Sequence, residues 1–203
     1  MKLYTGMGPN PRVVTLFIAE CGADVEQVPV DLMAGENRES AHIARNPAGQ
    51  LPCLELDDGS HLSEITAICE YLDEKSDGDS LIGATPEERA ETRMWVRRID
   101  LNILEPLTSG FRYAEGLPLF KERIHCIPQA AEDLKAIAQK NLVWLDGLME
   151  DKEFICGDRF SLADLMLFAF LEFGGSVGQP LDAKCERLQN WYERIAARPS
   201  VGG

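Results

Sequence analysis

The residues of this sequence best placed to do chemistry lie between Asn46 and Leu72. Asn46-Pro47 and Gly49 make a turn, and Leu51-Pro52 stands at the mouth of a short run, Cys53, Leu54 and Leu56, that reads as a strand. Proline has no N–H to give to a ladder, so a proline opening a strand that should be central points to a cis bond before it. Such a bond aims the Leu51 N–H and C=O outward, where they can pair with a peptide-like ligand. Asp58-Gly59 reads as a two-residue hairpin needing positive φ, and His61 and Leu62 begin the return strand. Ser63 or Glu64 then opens a helix whose Ile65, Ile68, Cys69 and Leu72 recur at helical spacing. The first N–H groups of a helix make an anion site. A main-chain clamp beside a carboxylate-binding helix end suits a small peptide with a free α-carboxylate. A hairpin and helix packed for stability alone fit the same spacing.

The elements that must position these groups follow from the rest of the chain. Lys2-Leu3-Tyr4 starts a strand, and Gly6 to Pro11 is a loop in which Asn10 reads as a helix N-cap and Pro11 as the first helical residue. Val13, Val14, Leu16, Phe17, Ile18 and Cys21 give an apolar helix that Gly22 ends. Val25 to Leu32 reads as a strand, with Pro29 marking it as an edge, and a short helix is predicted around 38–45. This β-α-β unit, followed by an X-Pro strand, a hairpin and a helix, is the layout of a thioredoxin-like fold. The boundary falls in the polar stretch Ser76 to Ser80, giving domains at 1–76 and 86–203 joined by a linker at 77–85. Thr85-Pro86-Glu87-Glu88 caps the first helix of the second domain. From 87 onward no strand is predicted. A helix over 87–113 carries two apolar stripes and should kink at Pro106; further helices are expected at 129–149, from Ser161 with Asp164 as a reciprocal cap, and at 183–197.

Composition narrows the function. The 203 residues carry a net charge of −14, which argues against nucleic acid or an anionic membrane as partner. No apolar run approaches the length of a membrane span. Six cysteines at 21, 53, 69, 126, 156 and 185 form no C-x-x-C, and three histidines show no ligand spacing, so no metal site is expected. Scattered buried thiols and the absence of a charged-then-apolar leader suit a cytoplasmic protein.

The stretch from Asn46 to Leu72 resembles the glutathione transferases, whose pattern is Asn-Pro-x-Gly-(Gln/Lys)-(Val/Leu)-Pro, a strand, Asp-Gly, a strand, then Glu-Ser-x-Ala-Ile and a Tyr-Leu close. The resemblance continues through the first loop, the long kinked helix and the Ser161–Asp164 cap. It implies a thioredoxin-like domain followed by an all-helical one. It also implies that the chain binds glutathione, γ-Glu-Cys-Gly, as co-substrate. On that basis Leu51, ahead of Pro52, pairs through its backbone with the cysteinyl part. Gln50 reaches the ligand backbone or glycyl end, Asn37 contacts the glycyl carboxylate, and Glu64 with the N–H of Ile65 holds the γ-glutamyl end. Ile65 stands where the family has its Ser, which removes one charge-assisted hydrogen bond worth about 1.5–3 kcal/mol, and Thr66 is placed to replace it.

Catalysis in this family is activation of the glutathione thiol. The first loop here has neither Ser nor Cys, Gly8 falls where one subgroup has its Ser, and Asn10 falls where a bacterial and fungal subgroup has an Asn. Asn10 is therefore the expected donor to the sulfur, helped by the first helix's N-terminus; the Thr5 hydroxyl at the strand end, and a purely capping Asn10 with the helix end acting alone, are the alternatives. The implied function is transfer of glutathione to a hydrophobic alkyl or aryl electrophile, or glutathione-dependent disulfide or peroxide reduction, in a homodimeric detoxification enzyme. A glutathione-transferase-like binding or regulatory protein without turnover is the competing reading.

Overall fold

The computed structural model describes residues 1–202, which divide into two compact units between Ala84 and Thr85. The first unit is built on a four-stranded sheet. Its strands are β1 (Lys2–Thr5), β2 (Glu26–Pro29), β3 (Cys53–Glu55) and β4 (His61–Ser63), in the spatial order β2-β1-β3-β4. β2 runs parallel to β1, while β3 is antiparallel to both β1 and β4. Pro29 lies on the edge strand, where its missing N–H costs no ladder bond. β2 is shorter than the predicted Val25–Leu32, although Val30 N–H still reaches the Thr5 carbonyl at 2.7 Å.

Side chains alternate across this sheet. Leu3, Leu54 and Leu62 align across β1, β3 and β4 on one face, and Tyr4, Cys53 and Ser63 on the other. Tyr4, Leu51 and Cys53 form a buried cluster, with Val28, Val30 and Leu32 packed against it. The helices of the unit are α1 (Pro9–Cys21), α2 (Ser40–Ile43) and α3 (Ile65–Lys75), with a 3₁₀ turn at Glu36–Arg38. Val13, Val14, Leu16 and Phe17 of α1 are buried, as are Ile68, Cys69 and Leu72 of α3, and the two helices pack together.

Two local readings need correction. α1 begins at Pro9, so Asn10 is its second residue and Gly8, at φ 113°, is the cap. Pro9 has the φ that a first helical residue needs and draws the start back by two positions. The hairpin between β3 and β4 is closed by the Leu56 N–H on the Ser60 carbonyl at 2.8 Å, which leaves three loop residues rather than two. Of Asp58 and Gly59 only Gly59 has positive φ, and Asp58 instead accepts from the Ser60 N–H and hydroxyl. A three-residue loop ending on a left-handed glycine is the next most favoured hairpin connection.

The second unit is helical: α4 (Pro86–Ile99), α5 (Glu105–Tyr113), α6 (Leu117–Phe120), α7 (Ala131–Gly147), α8 (Leu162–Ser176) and α9 (Glu186–Ala196). Thr85 and Glu88 form the reciprocal cap of α4 at 3.2 Å each way. The single helix predicted over 87–113 is interrupted by a π-helical segment, Asp100–Leu104. Pro106 has no N–H for the Asn102 carbonyl and its ring crowds that oxygen, so the backbone widens just ahead of it. The Asn102 oxygen takes Asn141 Nδ2 from α7 instead, at 2.7 Å.

α8 is the core helix of this unit. Asp164 in its first turn is wholly buried and accepts from the N–H groups of Ile155 and Ser161, the Ser161 hydroxyl and the Trp191 indole, all within 3.0 Å. Burial pushes the Asp164 carboxyl up while these four donors pull it back. The predicted Ser161–Asp164 cap thus also ties α9 and the 153–157 turn to α8.

Candidate active site

The sheet brings three chain segments to one end. Tyr4 pairs with Cys53 and Cys53 with Ser63, so the residues after β1, before β3 and after β4 lie side by side. These are the loop Gly6–Gly8 leading into α1, the Leu51-Pro52 dipeptide and the start of α3. A Cβ on Gly6 would stand 3.0 Å from the Leu51 side chain and 2.8 Å from the Val30 carbonyl, so glycine allows the first loop to press against the Leu51 segment.

The Leu51-Pro52 bond is cis, as the strand-opening proline predicts. Both side chains are buried, while neither the N–H nor the C=O of Leu51 is paired among the described residues. Gln50 is exposed and its side-chain amide is likewise without an intramolecular partner among them. Three buried side chains hold the segment from behind. Asn37 Nδ2 donates to the Gly49 carbonyl at 2.6 Å, Asn46 Nδ2 to the Gln50 carbonyl at 2.9 Å, and His42 Nε2 lies 3.0 Å from the same oxygen. Asn46 Oδ1 also accepts the Ala48 N–H at 3.1 Å. The sequence reading assigned Asn37 to ligand contact; its amide in this structure is turned to Gly49 and is 6% exposed. His42 and Asn46 went unnoticed as site residues. Asn46 opens the Asn-Pro-x-Gly pattern but reads there only as a turn residue, and the signal for His42 is its placement eight positions before Gln50, which means nothing until the chain has turned.

Glu64 sits at the N-cap of α3 with φ 71° and ψ 126°, a sparsely populated conformation for a residue with a side chain. It is exposed, and its carboxylate makes no hydrogen bond among the described residues. The first-turn N–H groups of Ile65, Thr66 and Ala67 point out of the helix, and no acidic side chain occupies that turn. Ile65 and Thr66 are half-buried. The result is an unpaired carboxylate beside a helix end whose N–H groups favour an anion, a juxtaposition that would suit a zwitterionic amino-acid terminus.

α1 presents a second helix N-terminus, in which Pro9 and Pro11 have no N–H and the Arg12 N–H goes to the Gly8 carbonyl at 3.3 Å, leaving the Asn10 N–H to point out of the first turn. No acidic residue lies in its first turn, Arg12 does, and the half-buried Asn10 amide has no partner among the described residues. The φ of Gly8 would strain any L side chain, which accounts for the missing hydroxyl there. Tyr4, the nearest phenol in sequence, is committed elsewhere: its OH donates to Glu55 Oε2 at 2.7 Å and its ring lies under the Arg45 guanidinium at 4.2 Å. That bond to Glu55 holds the phenol above its ordinary range and the Glu55 carboxyl below its own. Among the described residues no group of three or more His, Cys, Asp or Glu is arranged to hold a metal.

Family models for the glutathione S-transferase N-terminal domain and C-terminal domain match residues 1–74 and 111–199. The chain belongs to the glutathione S-transferase family. Over 209 residues it is 33% identical to glutathione S-transferase 2 of Saccharomyces cerevisiae, covering 99% of this chain and 88% of that protein. It is also 33% identical over 208 residues to glutathione S-transferase GstA of Escherichia coli O157:H7, covering 99% and 95%. Among solved structures, a glutathione S-transferase domain-containing protein of Marinobacter aquaeolei VT8 superposes with a TM-score of 0.93 at 38% identity, covering 99% of this chain and all of that one. The thioredoxin-like first unit and helical second unit are therefore those of a glutathione transferase, and the chain is an enzyme of that class. No helix among the described residues is long and apolar enough to cross a membrane.

Proposed function

We propose that glutathione lies along the Leu51 main chain and that its thiolate is held at the start of α1 by Asn10. The observation that carries this reading is the unpaired main chain of Leu51, flanked at the same end of the sheet by the open N-terminus of α3 and by the start of α1 with its Asn10. The Leu51 N–H and C=O pair with the cysteinyl residue, in the manner of one more strand. Gln50 reaches the ligand's backbone or glycyl end, and Pro52 fixes the direction in which Leu51 presents itself. Glu64 takes the α-ammonium of the γ-glutamyl group, while the N–H groups of Ile65 and Thr66 take its α-carboxylate, with the Thr66 hydroxyl in place of the family's Ser. Asn37 supports the segment from behind, through Gly49.

In this reading the sulfur sits before the first turn of α1. A thiolate there is favoured by the Asn10 amide and by the helix dipole, and both lower a thiol pKa whose ordinary value is about 8.5. The thiolate then attacks an alkyl or aryl carbon and displaces its leaving group, or attacks a disulfide sulfur or a peroxide oxygen with release of the corresponding thiolate or alkoxide. The enzyme acts as a cytoplasmic homodimer in detoxification, and needs no metal.

Retention on glutathione-agarose and turnover of a panel holding an aryl halide, an organic hydroperoxide and a mixed disulfide test the proposal. Binding with turnover of at least one member is expected. Binding without turnover of any would replace it with a binding or regulatory role.

A further inference from the structure

The two donors on the Gln50 carbonyl have a consequence for the neighbouring residue. The Gln50 C=O and the Leu51 N–H belong to one planar trans peptide unit, so they point in opposite directions and turn together. His42 Nε2 at 3.0 Å and Asn46 Nδ2 at 2.9 Å grip that oxygen from the buried side. They thereby fix the direction in which the N–H emerges on the other. A carbonyl oxygen only accepts, so the imidazole must carry its proton on Nε2. Nδ1 has no partner among the described residues. The ring is held in place by burial, at 2% exposure, and by an edge-on contact with Tyr4 at 6.5 Å between centroids.

We propose that His42, in its Nε2–H form, is a positioning residue for glutathione recognition: it aims the Leu51 N–H at the ligand without touching the ligand itself. The inference rests on the Leu51 reading above. It predicts a separable kinetic signature, because the clamp acts on binding of the tripeptide and not on the sulfur. Losing one of two neutral donors on a single carbonyl corresponds to about a fivefold weaker affinity.

The test compares His42→Phe, which keeps a ring against Tyr4 but has no donor, with His42→Gln, whose amide nitrogen can reach the place of Nε2. His42→Phe is expected to raise the glutathione KM about fivefold with kcat at saturation unchanged, and His42→Gln to restore most of the loss. Equal KM values in wild type and His42→Phe, or a fall in kcat alone, would overturn the proposal. Nitrogen-15 spectra of the wild-type imidazole provide a check that needs no variant: the Nε2–H tautomer is expected, and the Nδ1–H tautomer is incompatible with donation to Gln50. Titrating wild-type protein with glutathione while following the Leu51 amide resonance separates the two levels of the argument. If that amide does not respond, the Leu51 reading fails. If it responds while His42→Phe binds as wild type does, only the role of His42 fails.

Discussion

A glutathione thiol at neutral pH is mostly protonated, and a transferase needs something that prefers its anion. Families with a Tyr or Ser beside the sulfur supply a hydroxyl. Here the one phenol near the first strand donates to Glu55, and the position open to a Ser is a glycine whose φ of 113° excludes a side chain. Asn10 is left as a half-buried amide with no competing partner among the described residues. An Asn10→Ala substitution is therefore expected to raise the pKa of the bound thiol by about one to two units, the equivalent of a hydrogen bond to a charged group. The ultraviolet absorbance of the thiolate, titrated in the glutathione complex, reads this directly. Tyr4→Phe serves as the contrast and should leave that pKa unchanged. An unchanged pKa in Asn10→Ala would assign thiol activation to the helix end or to the hydroxyl of half-buried Thr5. Asn10 was legible as a candidate from its place in the first loop, but its rank within α1 was not. Asn and Gly cap helices almost equally well, and only the backbone at Gly8 and Pro9 decides between them.

At the scale of the element, the start of α3 joins function to strain. Glu64 holds φ 71° in a region that costs a residue with a side chain of order 1–3 kcal/mol, and glycine has no such cost. Glu64→Gly is expected to raise the unfolding free energy by about 1 kcal/mol, after glycine's own entropy loss, and to weaken glutathione binding through the lost carboxylate. Urea unfolding and a glutathione titration on the same variant measure the two effects. A less stable variant would mean that Glu64 makes a stabilising contact its open carboxylate does not suggest. In the second unit, Lys135 of α7 lies 2.7 Å from Glu115, just beyond α5. The bond to Lys135 holds the Glu115 carboxyl below its ordinary value, and the same contact holds the Lys135 ammonium above its own. A depressed carboxyl pKa contributes stability above the unfolded-state value and loses it as pH falls through the folded-state value. Because Glu115 is half exposed, solvent screening keeps the contribution below about 1 kcal/mol. Glu115→Gln should accordingly unfold slightly earlier in urea than wild type at pH 7, with the gap closing as both are taken below the carboxylate range. The elements themselves were largely readable, since apolar spacing, Pro29, Thr85 and Ser161 act over a few residues. The π segment at Asp100–Leu104 was not, because it answers jointly to Pro106 and to Asn141 on another helix. The support behind Leu51 was hidden for the same reason: residues 37, 42 and 46 converge only after the chain has turned back.

For the whole molecule, the proposed homodimer must bring together two chains of net charge −14. Met94 on α4, Leu101 in the π segment, and Ile137 and Trp144 on α7 are large apolar side chains between 40% and 49% exposed. Ile137, Asn141 and Trp144 follow one another at helical spacing along α7, and Asn141 is tied to Asn102, next to Leu101. Association through these residues removes apolar surface from water, a contribution that moderate salt hardly changes. Repulsion between two acidic protomers, by contrast, acts over a Debye length of about 30 Å at 0.01 M ionic strength and about 8 Å at 0.15 M. The dimer is therefore expected to tighten as salt rises across that range, opposite to an interface held mainly by ion pairs. Sedimentation velocity at the two ionic strengths, at a concentration where dimer and monomer coexist, reads the direction of the shift. Trp144→Glu adds a charge to the apolar stripe and should leave a folded monomer at either salt. A dimer that loosens with salt, or one indifferent to Trp144→Glu, would move the interface away from this face of the helical unit.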